Sequence, residues 1–351
     1  MADDLIEALK SGKMAAVRAA VKDNPKAACH PRAIGMAARQ AFLPAIQLLH
    51  ENGADLNASF RNYRPLHALL QEDPHVAAGH PQPERLACLD WLLQHGADPE
   101  QLGAWPAARA IIIAAFVGQP EYVDRLTKGG ARIDGFAGAP FGDRKLVERA
   151  LRERPDFARE RDSGGLTALQ CAAGSRLPGA PVADVARLLL DAGAEVGALT
   201  KSWNHDVDAL YFAVGANHGP IVEMLLEHGA DPTATLAHAV WATRTDMAEL
   251  ALDRGADPDR ATANGKPLLN DLIRWGQIPG VMWMLAHGAS PNIPDDHGWT
   301  AVHQAASRGN ARILKAVLEA GGNFGRPDHD GHTPIDIARK AGKGKLVAMM
   351  P

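Results

Sequence analysis

A short phrase built around one glycine recurs along this chain, and its spacing restricts the fold more than any other feature. It reads "ENGADLN", "QHGADPE", "KGGARID", "DAGAEVG", "EHGADPT", "DRGADPD", "AHGASPN" and "EAGGNFG", with the glycine at 53, 96, 130, 193, 229, 255, 288 and 321. Successive gaps are 43, 34, 63, 36, 26, 33 and 33 residues. The last two define the unit. The gap of 63 holds two units, that of 43 holds one with an insertion of about ten residues, and that of 26 holds one with a shortened loop. A chain repeated in this way buries its core between neighbouring copies rather than in one central globule.

Within a unit the residue types spell out two helices. In "TAVHQAASRGNARILKAVLEAGG" the first helix is predicted to start at Thr300, whose hydroxyl is suited to an unpaired amide of the first turn. The copy "TPIDIARKAGK" places Pro334 directly after the cap, where a missing N–H costs nothing. Ala305 and Ala306 are small because neighbouring helices must approach there, and Gly309 breaks the first helix into a tight turn. Gly321 supplies the left-handed residue that ends the second helix. Asp, Asn and Pro then form the loop to the next unit.

This pattern resembles the ankyrin repeat, a β-turn followed by two antiparallel helices. The resemblance is carried by "RPLH" (64–67), "TALQCAA" (167–173), "TAVHQAA" (300–306), "TPIDIA" (333–338) and the glycine phrases. It implies an all-α solenoid of about eleven stacked helix-turn-helix units joined by hairpin loops, as one domain over 1–351. It also implies that His67 and His303 make structural hydrogen bonds between units. The first unit is expected to use Asn24 in the left-handed place of the glycine. The unit near 137–160 is degenerate: "GFAGAPFGD", three glycines and a proline, makes poor helix. Loop insertions are expected near 72–83 and 174–181, both rich in Pro and Gly.

Composition narrows the class. The chain is 46% hydrophobic and 22% charged with a net charge of −4, as expected of a folded protein and without the basic stripe of a nucleic-acid binder. Three isolated cysteines, Cys29, Cys88 and Cys171, point to reduced thiols. The acidic start "MADDLIEALK" is no leader, and the longest apolar run is too short to span a membrane. We expect a cytoplasmic protein; delivery to another cell is not readable.

Chemistry finds no foothold. His95, His228 and His287 each precede a repeat glycine, where a cation complements the helix C-terminus, and lie on different units, too far apart to share zinc. "PDHDGHTP" lacks the third acidic ligand and closing glutamate of a calcium loop. Its D-x-x-G-x-T core recurs in "DSGGLT" and "DDHGWT" as the turn of the repeat. "GGARIDGFAGAPFGDRK" lacks the ending of a phosphate loop. Neither a metal nor a cofactor is expected, and no small-molecule substrate.

The aromatic residues say more. Trp91 and Trp283 fall on second helices and are expected in the core. Tyr63 and Trp299 fall on hairpin tips, and Trp105 and Trp203 in hairpin loops. Phe116, Trp241, Arg274, Trp275 and Arg308 occupy the variable places late in first helices. In such a stack these places form the concave surface, and Trp, Tyr and Arg dominate interface energetics. The expected function is therefore non-enzymatic binding of a partner protein or peptide. The alternative within that class is an inhibitor, immunity-type or host-directed effector protein that occludes or recruits an enzyme. An enzyme with its site in 135–160 is the remaining alternative.

Overall fold

The computed structural model describes residues 3–71, 83–202, 205–263 and 265–350. Trp203 and nearly all of the expected insertion at 72–83 lie outside the described residues. The chain divides into two compact units, Met1–Ala216 and Asn217–Pro351, each considered on its own.

In the first unit, helical pairs follow the glycine spacing: Asp3–Lys10 with Met14–Asp23, Pro31–Arg39 with Leu43–Glu51, and Pro65–Leu70 with Pro83–Gln94. Ala110–Val117 then pairs with Pro120–Lys128, Gly135–Phe141 with Arg144–Glu153, and Ala168–Gly174 with Val182–Asp191; Ala209–Ala216 closes the unit. First helices pack on first helices of the next pair along the run. The second unit starts with Gly219–Glu227. It continues with Pro232–Trp241 and Thr245–Asp253, Leu268–Trp275 and Ile278–Ala286, Ala301–Arg308 and Ala311–Glu319, then Pro334–Lys340 and Gly344–Val347. The only strands among the described residues are two-residue hairpin arms between repeats, such as Leu102–Gly103 paired with Ala108–Arg109. The fold is all-α, as expected.

All eight phrase glycines sit at positive φ, from +84° at Gly193 to +97° at Gly96. Asn24 does not: its φ is −142°. Pro25 follows it, and a residue before proline is held to extended backbone, so the first repeat leaves its second helix through the 3-10 turn Pro25–Cys29. Ala305 and Ala306 are fully buried, like Ala114, Ala115, Ala172 and Ala173.

The supposedly poor helix at 135–141 forms. Asp134 caps it by accepting from the Ala137 N–H at 3.0 Å, and Pro140 lies in its last turn. Its glycines serve contact, since a β-carbon on Gly135 would lie 2.7 Å from both Ala150 and the Phe157 ring, and one on Gly138 2.8 Å from Leu146. Helix propensity loses to packing here. The insertion at 174–181 is likewise anchored. Ser175 donates to the Pro140 carbonyl at 2.6 Å, and Arg176 uses its backbone N–H on Ala115 and its guanidinium on Gly215.

Repeats are tied by side chains at the third position of first helices. His67 Nε2 donates to the Ala108 carbonyl at 2.9 Å and His303 Nε2 to His332 at 3.3 Å. Gln170 reaches the carbonyls of Ala198 and Val207, and Asn270 that of Trp299. In the first unit Arg109, 3% exposed, adds a buried tie to Asp134 at 2.7 Å and to the Arg132 carbonyl at 3.0 Å.

Candidate functional site

The expected contact residues are not equally presented. Tyr63 is half-buried at the tip where Phe60 and Tyr63 pair. Trp105 is half-buried in the hairpin joining Leu102–Gly103 to Ala108–Arg109, ahead of a cis Pro106. Phe116 packs against Gly174 and lies 5.4 Å from the Phe212 ring, so it fills space between helices. Trp241 is half-buried at the end of Pro232–Trp241. Trp275 is 60% exposed, and Arg274 and Arg308 are exposed as well.

The structure brings four of these residues together on the second unit. A groove of about 720 Å³ runs between the helices Leu268–Trp275 and Ala301–Arg308 and the hairpin tips beside them. Arg274, Trp299 and Arg308 line it, with Lys266, Asp295, His297, Gln304, Ser307 and Asp330. A smaller hollow of about 220 Å³ adjoins it, walled by Ile273, Trp275, Gly276, Asn310 and Ile313, and Arg308 faces both.

The tips that flank the groove hold their own shape. Asp295 N–H donates to the Trp299 carbonyl at 2.8 Å, while Asp295 Oδ1 accepts from the N–H groups of His297 and Trp299, each at 2.9 Å. The next tip repeats this with Asp328, whose Oδ1 accepts from Asp330 at 3.0 Å and His332 at 2.8 Å. Asp162 does the same toward Gly164 and Leu166 in the first unit. The turn reading of D-x-x-G is thus what the geometry shows, with Gly165, Gly298 and Gly331 at positive φ. Burial raises the Asp328 carboxyl. The N–H groups of His332 and Asp330 and the indole of Trp299 more than offset it, holding the group below the usual carboxylate range.

Trp299 is therefore half committed. Its indole N–H donates to Asp328 Oδ2 at 3.0 Å, while the half-buried ring borders the groove. Lys266 lies 3.3 Å from Asp295 Oδ2. Arg274 and Arg308 make no ion pair or side-chain hydrogen bond among the described residues.

Sequence reasoning missed several lining residues. Lys266, His297, Gln304 and Ser307 carry no distinctive motif, though Ser307 shares the variable pair with Arg308. It also missed Leu199 and Tyr211 in the first unit, 55% and 38% exposed. Tyr211 occupies the third helical position, where other repeats place a bridging polar group. Trp91 and Trp283 differ from expectation too. They are half-buried and stack on His95 and His287 with ring centroids 3.9 Å apart, while each histidine Nδ1 donates to the tryptophan carbonyl one turn back. These histidines cap second helices, as does His228 on Met224. Among the described residues no set of three or more His, Cys, Asp or Glu could hold a metal ion, and no helix is long and apolar enough to cross a membrane.

Two family models describing ankyrin repeats match, one in three copies over residues 74–236 and one over residues 269–318. An ankyrin repeat-containing protein of Schizosaccharomyces pombe is 38% identical over 65 residues, covering 18% of this chain and 31% of that protein. The palmitoyltransferase ZDHHC13 of Homo sapiens is 35% identical over 176 residues, covering 48% of this chain and 28% of that enzyme. The chain thus spans less than a third of either relative. Among solved structures, the ankyrin repeat domain of Bcl-3 aligns with a TM-score of 0.50 at 24% identity, covering 62% of this chain and 98% of that domain. Stacked helical pairs, left-handed glycines, bridging third-position side chains and two matching family models over more than half its length place this chain in the ankyrin repeat family.

Proposed function

We propose that this chain binds another protein or a peptide, without catalysis, through the face formed by first helices and hairpin tips, read from the sequence as the concave one. Ankyrin repeats in general are protein-interaction modules. The observation that carries the reading is the groove of the second unit. There Trp275, the largest exposed aromatic among the described residues, and two arginines with no partner among those residues occur together in places that stacking leaves free to vary. Arg274, Trp275 and Arg308 are exposed there, as a binding surface requires.

The relatives' enzymatic activities are not carried over, because the match covers only a minor part of each of them. Reduced thiols, with Cys88 and Cys171 buried, suit a cytoplasmic setting. Inhibitor, effector and scaffold roles would use the same surface and are separated by the partner's identity.

Affinity capture with the full chain, repeated with a Trp275→Ala/Arg308→Ala chain, tests the reading. Both side chains are exposed, so thermal stability should stay within about 0.5 kcal/mol while the captured partner falls about tenfold or more. Undiminished capture by the variant would refute the assignment of the face. Turnover in a hydrolase or transferase panel, abolished by one substitution, would refute the absence of catalysis.

A further inference from the structure

Charges around the groove divide into those already engaged and those left over. Asp295 is nearly buried; it takes two backbone N–H groups on one oxygen and Lys266 on the other. That pair is satisfied within the fold. Arg274 and Arg308 are exposed on successive first helices, 34 positions apart in the chain, and have no partner among the described residues. A further cation stands beside them. A β-carbon on Gly309 would lie 3.0 Å from Lys343 Nζ, which brings that ammonium over the end of the Arg308 helix. His297 lies on one wall. Asp330 is the one lining carboxylate outside the Lys266 pair. In a chain of net charge −4 this is a local excess of positive charge.

From this we infer that the groove receives an extended acidic segment of a partner protein, with carboxylates two or three residues apart engaging Arg274 and Arg308. The inference rests on the protein-binding reading above and names the chemistry of its occupant. The spacing follows from geometry. Packed helices lie about 8–10 Å apart, and an extended chain advances about 3.3 Å per residue, so side chains two or three residues apart span roughly 7–10 Å. Guanidinium groups are suited to carboxylates because their planar N–H groups donate to both carboxylate oxygens at once. The hollow beside Arg308 fixes the neighbouring residue. The exposed Trp275 ring supplies apolar surface there, over the buried Ile273 and Ile313, so an apolar side chain adjacent to one acidic residue fills it. Asp330, on the following tip, repels a third carboxylate and sets the polarity of the ends.

Selection of random dodecapeptides displayed on phage against the full chain tests this. Enrichment of peptides with two acidic residues two or three positions apart, lost on an Arg274→Gln/Arg308→Gln chain, is the expected result. For a peptide so selected, fluorescence anisotropy should show about tenfold weaker binding to each single arginine variant. Binding should tighten with Asp330→Asn, weaken with added salt, and leave the thermal stability of every variant unchanged. Equal enrichment on the double variant, enrichment without acidic residues, or no enrichment would each overturn the inference. Peptides without acidic residues that nonetheless depend on Trp275 would sink the acidic occupant alone and leave the binding face standing. Tighter binding of a homopolymeric RNA than of any selected peptide, at equal salt, would likewise overturn it.

Discussion

His67 shows what a single residue contributes to a stack of this kind. It is fully buried, and its Nε2–H bond spans from its own repeat to the Ala108 carbonyl in the next. Burial pushes its pKa down from 6.5 to about 4, against the bond to Ala108, which raises it. The unfolded chain therefore takes up the proton first as pH falls. Stability from the neutral ring is complete above pH 6.5 and declines as pH drops toward 4, by about 3 kcal/mol in all. His303, lowered chiefly by burial, acts with the same sign. Gln170 already makes the equivalent bonds with an amide that does not titrate. Thermal melts from pH 7 to 4 should then show a shallower decline for His67→Gln than for the native chain. Identical slopes would mean that the ring is protonated in the folded state.

The helix Gly135–Phe141 shows why some elements resist reading from sequence. Its composition argues against helix, and nothing local in the sequence reveals that Phe157 and Leu146 press close enough to exclude a β-carbon. Gly135→Val should therefore cost about 1–3 kcal/mol through overpacking, although valine is the better helix former. Urea denaturation of the chain checks the sign; a stabilised variant would show that Ala150 and Phe157 give way. The remaining helical pairs were legible because period, cap and glycine all agree, as in Thr300, Ala305 and Gly321. Asn24 was misread because the following proline overrides its tolerance for left-handed backbone. The site was half legible. Register placed Arg274, Trp275, Trp299 and Arg308 on one face, but the packing of Phe116 on Phe212 and the Asp328 bond of Trp299 depend on neighbours about 30 or more residues away in sequence.

Across the whole chain, each compact unit buries apolar side chains of its own. The second has Leu236, Met247, Leu272, Val281, Val302 and Leu314 at or near zero exposure. Its candidate groove draws on residues 266–330 alone. Asn217–Pro351 expressed by itself is thus expected to fold with helical circular dichroism and a cooperative melt, and to keep the groove's ligands; a fragment without helical signal would contradict it.

The self-closing tips have a wider consequence. Because Asp295 and Asp328 bind the backbone amides of their own turns, the exposed side chains directly after each of them carry little of the folding burden. Asp296, His297, His329 and Asp330 are all exposed. Mutation there alters what is presented to a visitor while sparing the architecture, so a lineage could exchange one binding preference for another by drift at a handful of codons.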